Sequence, residues 1–260
     1  MWKTKGIIIN KIFGGIGMSK YNDKALKELI AWEQKMKRRP SVTNKFTKEI
    51  QNKTNDLIPE KIHDMFTEAI KGMIKAVLTS SEYITKEPIT NGALEERENQ
   101  VRERLEFYKK AAAVSGAGTG AGGILLGLAD FPVLLSLKMK FLFDTAAAYG
   151  FSVTDYKERL YILYAFQLAF SSQENRNKVY SVVKNWKKHS DKLPKEIDDF
   201  NWRTFQQEYR DYVDIAKMLQ LLPGIGAVIG AVANYQLMDQ LGDTAMNAFR
   251  LRVFNYKKVD

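Results

Sequence analysis

The 260-residue chain contains no cysteine and only two histidines and six prolines. Without cysteine there is no disulfide, no thiolate metal site and no cysteine nucleophile, and the composition suits a reducing cytosol. His63 and His189 are far apart in sequence and cannot form a conventional zinc site. Both read as solvated, His189 because Lys187, Lys188 and Asp191 surround it. Hairpin signals between alternating runs are also missing, which leaves strands little support. The serines lack a nucleophile elbow. No catalytic residue, metal site or cofactor is expected from these residues. What the chain does have is 45% apolar and 27% charged residues, enough for a core in an ordinary soluble domain. Its net charge of +10 points to an anionic partner and says nothing of fold.

The opening MWKTKGIIINKIFGGIG is basic, but its apolar run is too short for a secretory signal. Gly14–Gly15 can be encoded as GGAGG plus one base, a ribosome-binding sequence a few bases upstream of the Met18 codon. The expectation is therefore a native start at Met18, with residues 1–17 a disordered translated leader and 18–260 one helical domain. Loss of Lys3, Lys5 and Lys11 would lower the charge from +10 to +7.

From Lys20 onward the periodicity is helical. Leu26, Leu29, Ile30 and Met36 make a short apolar face, and Pro59 suits the first turn of a second helix. Ile62, Met65, Phe66, Ala69, Ile70, Met73, Ile74 and Val77 then keep the i, i+3, i+4 spacing. Residues 94–110, LEERENQVRERLEFYKK, carry dense mixed charge and read as a solvated helix. Asp155 with Glu158 reads as an N-cap and its reciprocal partner, opening a helix through LYILYAFQLAF that is apolar nearly all round and hence buried. Phe205, Tyr209, Tyr212, Val213, Ala216 and Leu219 mark a later amphipathic helix. The expected fold is all-α: a compact multi-helix domain with two central Gly-rich apolar helices.

Six glycines fall between Gly116 and Gly127, and they admit three readings. Gly118, Gly120 and Gly123 match G-x-G-x-x-G, but a dinucleotide loop needs a preceding strand, and EFYKKAAAV is helical in character. A membrane span is permitted by length alone: nineteen uncharged residues separate Lys110 from Asp130, and twenty-one separate Lys217 from Asp239. The glycines, polar residues and Pro223 within them argue against it, as does the absence of tryptophan at their edges. Close helix packing fits best. Gly116/Gly120, Gly123/Gly127 and Gly226/Gly230 are each four apart, which stacks small residues on one face and lets another surface approach the backbone. These six glycines are the candidate packing or docking face.

Basic residues flank both stretches: Lys109, Lys110, Lys138 and Lys140 around the first, Arg250 and Arg252 after the second. Their expected role is contact with an anionic headgroup layer. Asp130 and Asp144 are the candidate buried acids, since both lie in apolar surroundings. Asp130 is explained as the cap of a helix with Pro132 in its first turn. Asp144 either pairs with Lys140 one turn back or faces a polar cavity, and a buried carboxylate is a functional-group candidate. The basic residues are scattered among acids, so nucleic acid is not expected as a partner.

The stretches GAGTGAGGILLGLADFPVLLSLKMKFLFDTAAAYGFS and LPGIGAVIGAVANYQLMDQLGDTAMNAFRLR resemble the two signature regions of the EcsC family. LKELIAWEQKM and LIPEKIHDMFTEAIKGMIK resemble its N-terminal segments, so the likeness spans roughly residues 22–256. The family is named after a protein encoded beside the two components of a bacterial ABC transporter, and it brings no catalytic residues to carry over. A looser likeness, through the Asp-x-Pro and Tyr-Gly pattern, is to helical domains attached to some small GTPases. Together with the Gly-rich stretches and their flanking cations, the EcsC resemblance leads to the expectation of a cytoplasmic, non-enzymatic helical protein of the EcsC type at the inner membrane surface, with anionic lipid or ABC transporter subunits as partners and self-association open. The alternative is a ligand-binding protein or hydrolase-like enzyme, with an apolar pocket beneath the Gly-rich segment holding Asp130 or Asp144.

Overall fold

The computed structural model describes residues 19–38, 60–81, 83–84, 86–118, 131–212 and 227–256. These contain nine α-helices: α1 (Lys20–Lys37), α2 (Glu60–Thr79), α3 (Leu94–Gly118), α4 (Phe131–Ala148), α5 (Tyr156–Phe170), α6 (Gln173–Lys184), α7 (Trp186–Ser190), α8 (Trp202–Tyr212) and α9 (Ala227–Tyr256). A 3-10 turn covers Ile197–Asp199, and no strand occurs among the described residues. The all-α expectation stands. Residues 1–17, Pro59, Asp130 and the 213–219 part of the last amphipathic pattern lie outside the described residues.

Local chemistry sets the helix ends. Ser19 Oγ accepts the Asn22 N–H at 3.2 Å, while Asp23 in the first turn and Lys35 and Lys37 in the last complement the α1 dipole. The α1 face buries Ala25, Leu29, Trp32 and Met36. Asp155 Oδ1 accepts the Lys157 N–H at 2.9 Å and caps α5. Glu158, expected to complete that cap, instead grips Arg252 of α9 with both carboxylate oxygens. Helix α5 is enclosed almost all round, as its composition requires. Arg159 closes the C-terminus of α2: its Nη1 donates to the Leu78 and Ser80 carbonyls, both at 3.0 Å, which have no helical N–H to meet them.

The charged helix α3 corrects the solvated reading. Val101, Leu105, Tyr108 and Ala112 form a buried stripe, and Glu98 and Lys109 are buried with it. Helix α3 lies antiparallel between α9 and α4. Glu98 meets Arg250, Leu105 meets Gly242 and Lys109 meets Asp239 along α9. Arg104 and Tyr108 meet Asp144 of α4. Glu98 Oε2 accepts from Tyr21 at 2.5 Å, Arg102 at 3.2 Å and Arg250 at 2.6 Å, while Oε1 accepts from Tyr149 at 2.9 Å and Arg250 Nε at 2.7 Å. One carboxylate therefore ties α1, α3, the end of α4 and α9 together. Burial alone would raise the Glu98 carboxyl, but the hydrogen bonds and charge of Arg250 outweigh it and hold the group below its ordinary value.

Two substitutions of the same kind should have opposite signs. A Cβ on Gly242 would stand 2.5 Å from Leu105 Cδ2, whereas one on Gly72 would meet nothing within 4 Å. Gly242→Ala should cost about 1–3 kcal/mol by overpacking, and Gly72→Ala should gain roughly 0.5–1 kcal/mol from helix propensity. Urea unfolding of both variants reads the two signs directly. Glu98→Gln should cost about 3 kcal/mol, since it leaves the Arg250 guanidinium buried without its main counter-charge. Because the Glu98 carboxyl titrates lower when folded, its contribution is present above the unfolded carboxyl value and lost as pH falls through the folded one. The gap between wild type and Glu98→Gln should accordingly close on acidification.

Candidate functional site

The antiparallel pairing brings the described parts of the two uncharged stretches, residues 111–118 and 227–238, to one end of the described helices. Helix α3 continues about 13 Å past Lys109 to Gly118, and α9 reaches back about 18 Å from Asp239 to Ala227. Helix α4 begins at Phe131, on the same end by its pairing with α3 through Tyr108 and Phe141. Gly116 lies in the last turn of α3 and Gly230 in the first turn of α9, so both have helical backbone. Gly120, Gly123, Gly127 and Gly226 lie outside the described residues. The close approach visible in the structure is made by Gly242 against Leu105, a position the four-residue glycine spacing did not single out.

Four of the six cations expected at an anionic surface are instead buried. Lys109 donates to Glu106 at 2.8 Å and Asp239 at 2.9 Å, with its ammonium 4.1 Å from the centre of the Tyr235 ring. Arg250 is taken up by Glu98 and Glu28. Arg252 lies between the Phe151 and Tyr161 rings, at 3.8 and 4.6 Å, and pairs with Glu158. Lys138 is fully enclosed. The positions of Lys109, Arg250 and Arg252 beside apolar sequence reflect interior pairing, and of the six only Lys110, exposed, and Lys140, half-buried, keep access to solvent. His189 is also corrected: it is half-buried against Trp186 and Tyr164, and its Nε2 makes no hydrogen bond.

Asp144 is buried, as its apolar surroundings predicted. Its Oδ2 accepts the Tyr108 hydroxyl at 3.2 Å, and its backbone carbonyl accepts Arg104 at 2.9 Å. Burial, and then the Asp144 charge, push the Tyr108 phenol well above its ordinary range. Asp144 thus helps to hold α3 against α4. Asp130 is outside the described residues. A groove of about 510 Å³ opens elsewhere, between α1, α3 and α9, with Tyr21, Lys24, Asn99, Arg102 and Asp243 on its walls and Arg250 behind them. It is polar, unlike the apolar pocket envisaged beneath the glycines.

Lys138 is a fully buried ammonium with no hydrogen-bond partner. It falls on the α4 stripe that contains Phe131, Leu134, Leu135, Phe141 and Leu142, it has no exposed surface, and its Nζ makes no hydrogen bond. Burial lowers its pKa to about 7. Below that value the folded state carries an uncompensated charge; between about 7 and the ordinary lysine value of 10.5 only the unfolded state stays protonated. Stability therefore rises with pH across that window and is lost as pH falls toward 7. Lys138→Met should raise the melting temperature at pH 7 by several degrees, with an advantage of about 1.4 kcal/mol for each unit of displacement. Scanning calorimetry of both proteins at pH 7 and pH 9.5 should show that advantage shrinking at the higher pH.

Comparison with known proteins matches these elements as a set. Residues 23–254, from the first turn of α1 to near the end of α9, match the EcsC protein family. The chain is 46% identical over 233 residues to Protein EcsC of Bacillus subtilis (strain 168), an alignment covering 89% of this chain and 96% of that relative. It is also 27% identical over 249 residues to the uncharacterized protein YdbA of the same organism, covering 87% of this chain and 90% of the relative. No solved structure matches it. The chain belongs to the EcsC family.

Proposed function

We propose that this EcsC-family chain is a non-catalytic helical protein that works at the cytoplasmic face of the cell membrane. It attaches peripherally to anionic lipid and serves a membrane-protein partner of the ABC transporter class implied by the family resemblance. The observation that supports this reading is the convergence of the uncharged ends of α3 and α9. Residues 111–118 of α3 and 227–238 of α9 are far apart in sequence, yet the α3–α9 pairing sets them side by side at one end of the described fold. None of the described helices is long and apolar enough to cross a membrane. Uncharged helix ends on a protein of net charge +10 suit contact with a negatively charged surface from one side. Lys110 and Lys140, which keep access to solvent, are the cations this reading assigns to that contact, and Gly116 and Gly230 lie within the helix ends concerned.

Flotation of the full chain with vesicles of phosphatidylcholine and phosphatidylglycerol tests the reading. Binding is expected at low salt, strongly reduced with phosphatidylcholine alone and weakened by 0.5 M salt through screening. Protein that stays wholly in the soluble fraction with the anionic vesicles at low salt would remove the lipid part of the proposal.

A further inference from the structure

Large apolar side chains left in water are not spread evenly over this protein. Among the described residues seven are exposed: Ile30, Met65, Phe107, Val114, Val133, Val232 and Tyr235. Five of these belong to the C-terminal part of α3, the first turn of α4 and the N-terminal part of α9, which meet at one end. Val114 is the most exposed, at 72%, and Val133 and Val232 are each 52% exposed. Isolated exposed apolar residues need no explanation, but several gathered at one end mark a contact surface.

Their order along the helices is informative. Val114, Val133 and Val232 stand nearest the end. Phe107 and Tyr235 lie farther back, with the Tyr235 hydroxyl directed to Glu106 and its ring under the Lys109 ammonium. Phe107, Lys110 and Val114 share one face of α3, and Val133 and Lys140 share one face of α4. Lys110 lies about 6 Å behind Val114, and Lys140 about 10 Å behind Val133. Valines outermost, with a lysine behind them on α3 and α4 and a ring behind them on α9, suit a boundary read from acyl chains to headgroups. What two helices, α3 and α4, repeat is a valine outermost with a lysine behind it on the same face.

Resting on the membrane reading above, the geometry points to end-on insertion: Val114, Val133 and Val232 enter the acyl boundary of an anionic bilayer, with Lys110 and Lys140 at its phosphates. The α3, α4 and α9 axes then run into the membrane surface, and the polar groove and the Glu98–Arg250 pair stay on the aqueous side.

The absence of native cysteine makes the test direct. Single cysteines at Val114, Val133 and Val232, with Thr154→Cys at the opposite end as control, are labelled with a polarity-sensitive fluorophore. The probe is vesicles of brominated phosphatidylcholine and phosphatidylglycerol. Labels at 114, 133 and 232 should be quenched on binding and the label at 154 unaffected, and Val114→Asp should weaken partitioning at least tenfold without changing the melting temperature. Vesicle-bound protein whose three labels stay in water overturns end-on insertion but leaves membrane attachment standing. Failure of the unlabelled full chain to float removes the attachment itself. Shielding of the 114 label in a lipid-free dimer assigns the end to a second copy and overturns the proposal.

Discussion

The fold turns on a carboxylate that has no access to water. Glu98 gathers two tyrosine hydroxyls and two guanidinium groups from four parts of the chain, and of these Tyr149 and Arg250 would otherwise be buried polar groups in need of a partner. The arrangement is affordable because its members satisfy one another. A carboxylate of this kind costs several kcal/mol to desolvate, and the pairing with Arg250 offsets that cost only with good geometry and its remaining lone pairs filled. The same demand makes the network selective: sliding α9 by one turn against α3 would strand both charges.

That selectivity governs everything along the α3–α9 interface. Three contacts of different chemistry, the Glu98–Arg250 pair, the Leu105 side chain over Gly242 and the Lys109–Asp239 pair, require the same register. Apolar packing alone tolerates sliding, since one leucine resembles another. An ion pair at either end with a glycine notch between them does not. The apolar end of the molecule is therefore not an independent feature, because the register that satisfies Glu98 also brings the end of α3 beside the start of α9.

Helix content and most helix faces were legible in the chain. The stripe from Phe66 to Val77, the Asp155 cap and the enclosed α5 all follow from spacing and composition. The charged segment misled because charge was counted instead of phased. Glu98 lies three residues before Val101 and seven before Leu105, on the buried stripe, so the signal was in the spacing. Lys138 was hidden the same way, four residues after Leu134 and three before Phe141. Gly242 could not have been found from glycine spacing, because its reason is a side chain of another helix. The Asp239 partner of Lys109 was equally out of reach, being a matter of tertiary register and not of local pattern.

Burial of the flanking cations changes how a basic protein would meet an anionic surface. Lys109, Arg250 and Arg252 each take acids into their pairs, so enclosing them leaves the net charge as it was. Lys138, only partly protonated near pH 7, lowers the formal +10 by at most one. The positive excess is thus not concentrated in the cations that flank the uncharged stretches, and each exposed lysine is worth about 1 kcal/mol near an anionic leaflet. A diffuse charge of that kind brings the protein to a membrane but is indifferent to which side arrives. Orientation has to come from a term that differs from side to side, and desolvating a valine, at roughly 1.5–2 kcal/mol, is such a term wherever valines are gathered. Charge supplies the encounter and the apolar end supplies the direction, which is why the two need not reside in the same residues.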